Sequence, residues 1–380
     1  AARANGVREL RDAPDTILRL TGKDSPYPGL VKTALGELAL ETTGYRLLGP
    51  SEKIDWTEPA LQAMAELRKD LQQFLAATEP GRRSADTKRV KDLADRFNAI
   101  SARIGETLGA VQPSEKRAAL QKGLDHILRS LWEPLDREMA QEQDRVWRDQ
   151  VHRAFSSGLA GKFPFADAPT EVPLVDFARM FNPVSGWLWG AVRPIEELRT
   201  IQVVGASALT LSEAYQGTLA RAQDIRAIFF AANSETVNAP FTITLVQREG
   251  VEDLSFIVGA QTYHLYDRPD ARFQAFLKQG EPPAAKVAIR VVTSQWKTQE
   301  PGKMDWALLR LLRMGDPKVQ AKGAYLFTWP FEGKAAGSNV VFKACLLLDA
   351  NGLEKAVIGD LLTGFVVPET IAPGSPSTGK

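Results

Sequence analysis

Phe241-Thr242-Ile243-Thr244-Leu245-Val246 is followed by Arg248-Glu249-Gly250 and then by Leu254-Ser255-Phe256-Ile257-Val258. The first run is β-branched and apolar, the middle is a turn, and the last returns as a strand, so a hairpin is the expectation. Further strand runs follow at Thr262–Tyr266, Ala285–Thr293, Gly323–Trp329 and Asn339–Leu348. One helix interrupts them: Asp305 is placed to cap Trp306-Ala307-Leu308-Leu309-Arg310-Leu311-Leu312-Arg313, and Gly315 to end it.

Upstream of Ala239 the period changes from two to between three and four. Leu61, Met64, Leu67, Leu71, Phe74 and Leu75 keep the spacing of one helix face, and Pro80-Gly81 breaks it. Val90, Leu93, Phe97, Ile100, Ile104 and Leu108 form a second stripe. Its polar side mixes Lys88, Arg89, Lys91 and Arg96 with Asp92 and Asp95, which describes a solvated face rather than a basic patch. Pro113-Ser114 opens a third helix carrying Leu120, Leu124, Ile127, Leu128, Leu131 and Leu135. Pro134 within it is expected to kink or interrupt the helix. The pattern resumes through Met139, Val146, Trp147, Val151 and Phe155. Short helical runs are read around Val175–Phe181 and Trp187–Leu198, and a longer one from Leu211 to Phe230.

Helices first and strands later predict an α+β protein: an all-α helical bundle followed by a mostly antiparallel, sandwich-like β domain with one inserted helix. The expected divisions are 1–157 for the bundle, 158–235 for a second helical segment packing against it, 236–370 for the β-rich domain and 371–380 for a flexible tail. A length of 380 residues suits two or more cores.

Composition narrows the function. With 47 basic and 46 acidic residues the net charge is +1, which provides no global field for nucleic acid. No stretch approaches the roughly 20 apolar residues that a membrane-spanning helix needs. The opening Ala1-Ala2-Arg3-Ala4-Asn5 has neither Met nor an apolar signal region and reads as the start of an excised piece. Cys345 is the sole cysteine and sits in an apolar run, where a buried structural thiol is expected. His126, His152 and His264 are scattered without metal-ligand spacing, so no metal or cofactor is expected. Gly22-Lys23-Asp24-Ser25 lacks the preceding strand and glycine of a phosphate loop, and Pro26 and Pro28 stand where its helix would begin. Glu196-Glu197 diverge on a helix. No catalytic residue is assigned, and the chain is read as a non-enzyme. The tryptophans remain: Trp187, Trp189, Trp296, Trp306 and Trp329 could pack in cores, anchor a partner or stack on sugar rings.

An ordered series in the middle of the chain carries a family resemblance. Trp147 and Phe155 precede Gly161-Lys162-Phe163-Pro164-Phe165, then Asp176-Phe177, Met180-Phe181-Asn182-Pro183 and Gly186. Ile228-Phe229-Phe230, the Trp306–Leu312 helix, Leu362-Thr363-Gly364-Phe365 and Pro368 follow in order, and Ser25-Pro26 and Glu41-Thr42 stand upstream. The series resembles the C-terminal periplasmic region of the TssM (IcmF) family of type VI secretion systems. Lys162-Phe163 stands for that family's Arg-Tyr, and Asn182 for its Gly before proline.

The resemblance implies a periplasmic fragment of an inner-membrane-anchored protein, structural rather than catalytic, that bridges to the outer-membrane lipoprotein. The implied partners are a TssJ-like lipoprotein, a TssL-like inner-membrane subunit through the full-length protein, and further copies of the chain in the assembled complex. Trp329 and Phe331, in the expected turns at Trp329–Lys334, and Phe365, in the stretch after Gly364, are the expected partner-interface residues. The rival reading is a periplasmic glycan- or peptidoglycan-binding module.

Overall fold

The computed structural model describes residues 57–79, 81–110, 114–265, 271–291, 296–321, 323–335, 338–349 and 352–373. The Gly22–Ser25 segment and the Ser25-Pro26 and Glu41-Thr42 matches lie outside the described residues. Two compact units interleave along the chain: the first includes residues up to Val146, Arg193–Ser212 and the end from Ile371, and the second Trp147–Val192 and Glu213–Thr370.

The first unit is built on α1 (Thr57–Ala77), α2 (Thr87–Thr107) and the long α3 (Ser114–Trp147). The stripes read from the sequence are its core: Leu67, Leu71 and Phe74 from α1, Val90, Phe97 and Ile104 from α2, and Leu128, Leu131, Leu135 and Met139 from α3. Phe97 meets Trp132 edge-on at 5.2 Å. Pro134 does not interrupt α3. An interior proline costs about 3 kcal/mol, whereas each fully buried Leu contributes about 1.5–3 kcal/mol, and Leu131, Trp132, Leu135 and Met139 are all buried around it. The break between α1 and α2 is fastened to α3. Glu142 Oε1 and Oε2 accept the Arg83 and Ser84 amides at 3.0 and 2.7 Å, and Arg83 pairs with Glu138. A small ribbon, β1 (Gln202–Val203) with β2 (Ala206–Ser207), is held by Asn98 and by Arg129, whose Nε donates to Val204 O at 2.8 Å. Ile371 is fully buried, and its amide donates to Asp144 Oδ1 at 2.5 Å.

In the second unit a π-helical stretch, Arg148–His152, leads into α4 (Arg153–Gly158). α5 (Leu174–Phe181) follows, then the first part of α6 (Trp187–Thr200), whose residues from Arg193 belong to the first unit, and then α7 (Glu213–Phe229). The turn between α5 and α6 is made as the sequence suggests. Buried Asn182 accepts the Val184 and Ser185 amides on Oδ1, and Gly186 lies so close to the Asn182 backbone that a Cβ there would collide with it.

The strands form two antiparallel sheets. One has five strands in the order β6 (Arg272–Lys278), β3 (Asn238–Val246), β11 (Ser338–Asp349), β10 (Ala324–Ala335) and β9 (Asp316–Ala321). The other runs β5 (Gln261–His264), β4 (Val251–Val258), β7 (Ala285–Val291) and β8 (Trp296–Gln299). Phe256 of β4 faces Trp329 of β10 at 6.5 Å, the sandwich packing expected. The expected hairpin is not formed: β3 pairs with β6 and β11, whereas β4 pairs with β5 and β7. Arg248-Glu249-Gly250 is an arch between the two sheets, with Gly250 at φ 77° against the Phe342 ring. The inserted helix is α8 (Ala307–Met314), and a short α9 (Leu353–Val357), absent from the sequence reading, follows β11.

Candidate functional site

The Gly161–Phe165 box is built into the second unit by an exchange of caps. Glu171 Oε2 accepts the Trp306 amide at 3.1 Å at the start of α8, and Asp305 Oδ2 accepts the Leu174 amide at 2.8 Å at the start of α5. Asp305 therefore caps α5, not the helix it precedes in sequence. Trp306 Nε1 donates to Val172 O at 2.6 Å, and Arg310 joins Glu171, with both side chains largely buried.

Phe163, buried, receives the Arg310 guanidinium at 3.9 Å and the Arg313 guanidinium at 4.8 Å from its ring centre. The Phe163-Pro164 peptide is cis. Burial pulls the Arg313 guanidinium below its ordinary value, Asp167 opposes the shift and Arg310 reinforces it. Arg313 also donates to the last carbonyls of α9, Ala356 and Val357.

The sequence-expected interface residues are all core. Trp329 is fully buried, its Nε1 donates to Leu311 O at 3.0 Å, and Phe327 stacks at 6.1 Å. The expected turn at Trp329–Lys334 is strand: Trp329 pairs with Ala344 and Lys334 with Asn339. Period-two alternation turns Trp329 and Phe331 inward together, leaving Pro330 and Glu332 on the exposed side. Phe365 lies among Phe155, Phe165 and Phe181, at 5.3, 6.1 and 5.2 Å. Burial leaves none of the three a face to offer in this conformation.

What surrounds them is open. Val341, near the free end of the β10–β11 hairpin, is 53% exposed, and Val366, next to Phe365, is 66% exposed. Glu332 and Lys334 lie beside Val341 on the same hairpin. A cleft of about 220 Å³ opens between the β6–β7 turn and the starts of α5 and α8, floored by Leu174, Phe276 and Leu308 and rimmed by Val175 and Met304. Of its two carboxylates, Asp305 is already engaged as a cap and Glu281 lies 3.7 Å from Lys278 Nζ.

Among the described residues no group of three or more His, Cys, Asp or Glu could hold a metal ion. No helix there is long and apolar enough to cross a membrane. Cys345 is buried, with Arg248 Nε donating to its Sγ at 3.2 Å. His264 has an acid beside it: its Nδ1 lies 3.3 Å from Asp253 Oδ2.

This arrangement of bundle, boxed aromatic core and β-sandwich is found in known proteins. No family model matches the sequence, and no curated protein matches it. Solved structures match in fold. A chain of a "Type VI membrane complex" superposes with a TM-score of 0.65 at 16% identity, covering 96% of this chain and 79% of that one. A chain of a "Type VI secretion system membrane core complex" gives 0.61 at 15% identity, covering 97% and 80%. The "T6SS protein TssM C-terminal domain" from EAEC gives 0.50 at 17% identity, covering 61% of this chain and 98% of that domain. At such identities the likeness is one of fold: this chain has the fold of the TssM C-terminal domain over the part they share, and of type VI membrane-complex chains over nearly all of its length.

Proposed function

We propose that the chain is a structural component of a type VI secretion membrane complex, a C-terminal region of TssM type that works through interfaces and not through turnover. The observation that carries the reading is the superposition over 96–97% of the chain at 15–16% identity. The ordered boxes support it, since they fall where the fold needs them: Phe163 under α8, Asn182 and Gly186 in the α5–α6 turn, and Phe365 in the aromatic core.

In this reading the chain lies in the periplasm and braces the envelope by binding a TssJ-like outer-membrane lipoprotein. Copies of it associate in the assembled complex, and the full-length protein meets a TssL-like subunit. Contact with the lipoprotein would pass through the exposed residues beside the buried aromatics: Val341, Glu332 and Lys334 on the hairpin, and Val366 beyond Gly364. Trp329, Phe331 and Phe365 then serve as the rigid backing of that surface.

The test is co-purification of the chain with the TssJ-like lipoprotein of the same organism. Retention of the folded chain on the immobilised lipoprotein supports the scaffold. Its passage unretained counts against it.

A further inference from the structure

The outer face of the four-stranded sheet carries a side-chain cluster that the scaffold role does not use. Asp253, Arg290 and Trp296 are cross-strand neighbours on β4, β7 and β8, so they share one face, and His264 of β5 stands opposite Ser255, two residues along. Leu254, Phe256 and Ile289 turn to the other face and form the core. Trp296 is 45% exposed. The Arg290 guanidinium lies 5.9 Å from its ring centre, and the His264 ring meets it edge-on at 6.4 Å.

Each polar neighbour of the tryptophan has an acid beside it. Asp253 is 6% exposed and takes the Leu254 amide on Oδ1 at 2.9 Å, while its Oδ2 faces His264 Nδ1. The His264 side chain is 36% exposed. Glu252 Oε2 lies 3.4 Å from Arg290 Nε. Neither arrangement has much to offer stability: an exposed ion pair contributes ~0–1 kcal/mol, and burying a carboxylate is costly. Asp253 faces one nitrogen of the part-exposed His264 ring, and Glu252 holds Arg290 as an ion pair only, its Nε making no hydrogen bond among the described residues.

We propose that Trp296, His264 and Arg290, with Asp253 and Glu252 beside them, form a saccharide-binding shelf that takes a neutral hexopyranose ring. The indole provides an apolar face for the ring's C–H groups, and the imidazole and guanidinium provide in-plane partners for its hydroxyls. Two carboxylates against one guanidinium leave no positive surplus, which disfavours phosphorylated or otherwise anionic ligands. A few fixed polar groups around an apolar contact are how small-ligand sites set orientation. The shelf is independent of the lipoprotein contact proposed above, which involves other strands and loops.

The test titrates the intact chain with chitotetraose, cellotetraose and maltotetraose, followed by tryptophan fluorescence and saturation-transfer NMR. Saturable binding of at least one glycan is expected, with affinity reduced about tenfold or more, or ~1.4 kcal/mol, in Trp296→Ala. His264→Ala should weaken the same glycan, while Trp187→Ala, altering the other exposed described tryptophan, should not. Trp296 and His264 are surface residues, so unchanged melting of the variants verifies the fold. Absence of saturation by all three glycans below about 10 mM overturns the proposal. So does glycan binding unchanged in Trp296→Ala, or a Trp296→Ala variant that loses only a protein partner.

Discussion

Glu171 and Asp305 cap one another's helices: the first accepts the amide of Trp306, the neighbour of Asp305 in sequence, and the second accepts the amide of Leu174 just beyond Glu171. The exchange ties a loop to a helix that lies 135 residues further along the chain. Glu171 also pairs with Arg310, and the two side chains are 10% and 19% exposed. Removing Glu171 therefore strips the α8 cap and leaves Arg310 short of its partner.

Glu171→Ala should lower unfolding free energy by ~3–5 kcal/mol, the scale for breaking a buried pair from one side. Asp305→Ala, which removes a cap alone, should cost about 1 kcal/mol. Urea denaturation of both variants and of the double variant checks this. Equal losses from the two single changes would mean the ion pair adds nothing to the cap.

Gly315 ends α8 against the Trp329 indole, and a Cβ there would stand 2.9 Å from the ring. Its φ of −81° is ordinary, so the demand is one of space. Gly315→Ala should destabilise by ~1–3 kcal/mol through overpacking. Trp329→Leu should be destabilising alone but should absorb part of the Gly315→Ala penalty. Strictly additive losses in thermal melts would show that the two residues are not in conflict.

Asp136 of α3 accepts the Thr210 amide at 2.9 Å and the Thr210 hydroxyl at 2.7 Å. Burial nevertheless raises its pKa above the ordinary 3.8, outweighing those two bonds. A carboxyl raised in the folded state contributes stability that is fully present below its unfolded value and is lost as pH rises through the folded one. Asp136→Asn keeps an acceptor for Thr210 and removes the titration. Its unfolding free energy should vary less with pH above about 3.8 than that of the wild type. An unchanged pH profile in the variant would assign the slope to other groups.

The helical stripes, the division into helices then strands, and the inserted helix were legible because each is a local periodicity. Leu67, Phe97 and Leu131 fall in the core where their spacing put them. What escaped was decided through space. Period two marks Phe241–Val246 and Leu254–Val258 as strands, yet it is silent on whether the turn between them closes a hairpin or crosses from one sheet to the other. Asp305 is a good N-cap residue in sequence, and only the folded chain sends its carboxylate to α5. Pro134 reads as a break because the burial on both its sides is not a local property.

Site residues were harder still. An aromatic beside a flexible glycine describes an exposed anchor and a core strand equally well, and the β10–β11 register resolves Trp329 and Phe331 as core. The His264–Trp296 juxtaposition required strand pairing to bring together β5, β4, β7 and β8. Exposed Val341 and Val366 carried no signal in the sequence, since a lone valine in a strand or loop reads as packing.

The scaffold account rests most directly on calorimetry of this chain against the TssJ-like lipoprotein of the same organism, with Val341→Asp and Val366→Asp as variants. The account predicts saturable binding by the wild type and a loss of about tenfold or more in at least one variant of unchanged melting temperature. No binding by a chain verified to be folded, or equal affinity in both variants and the wild type, would contradict it.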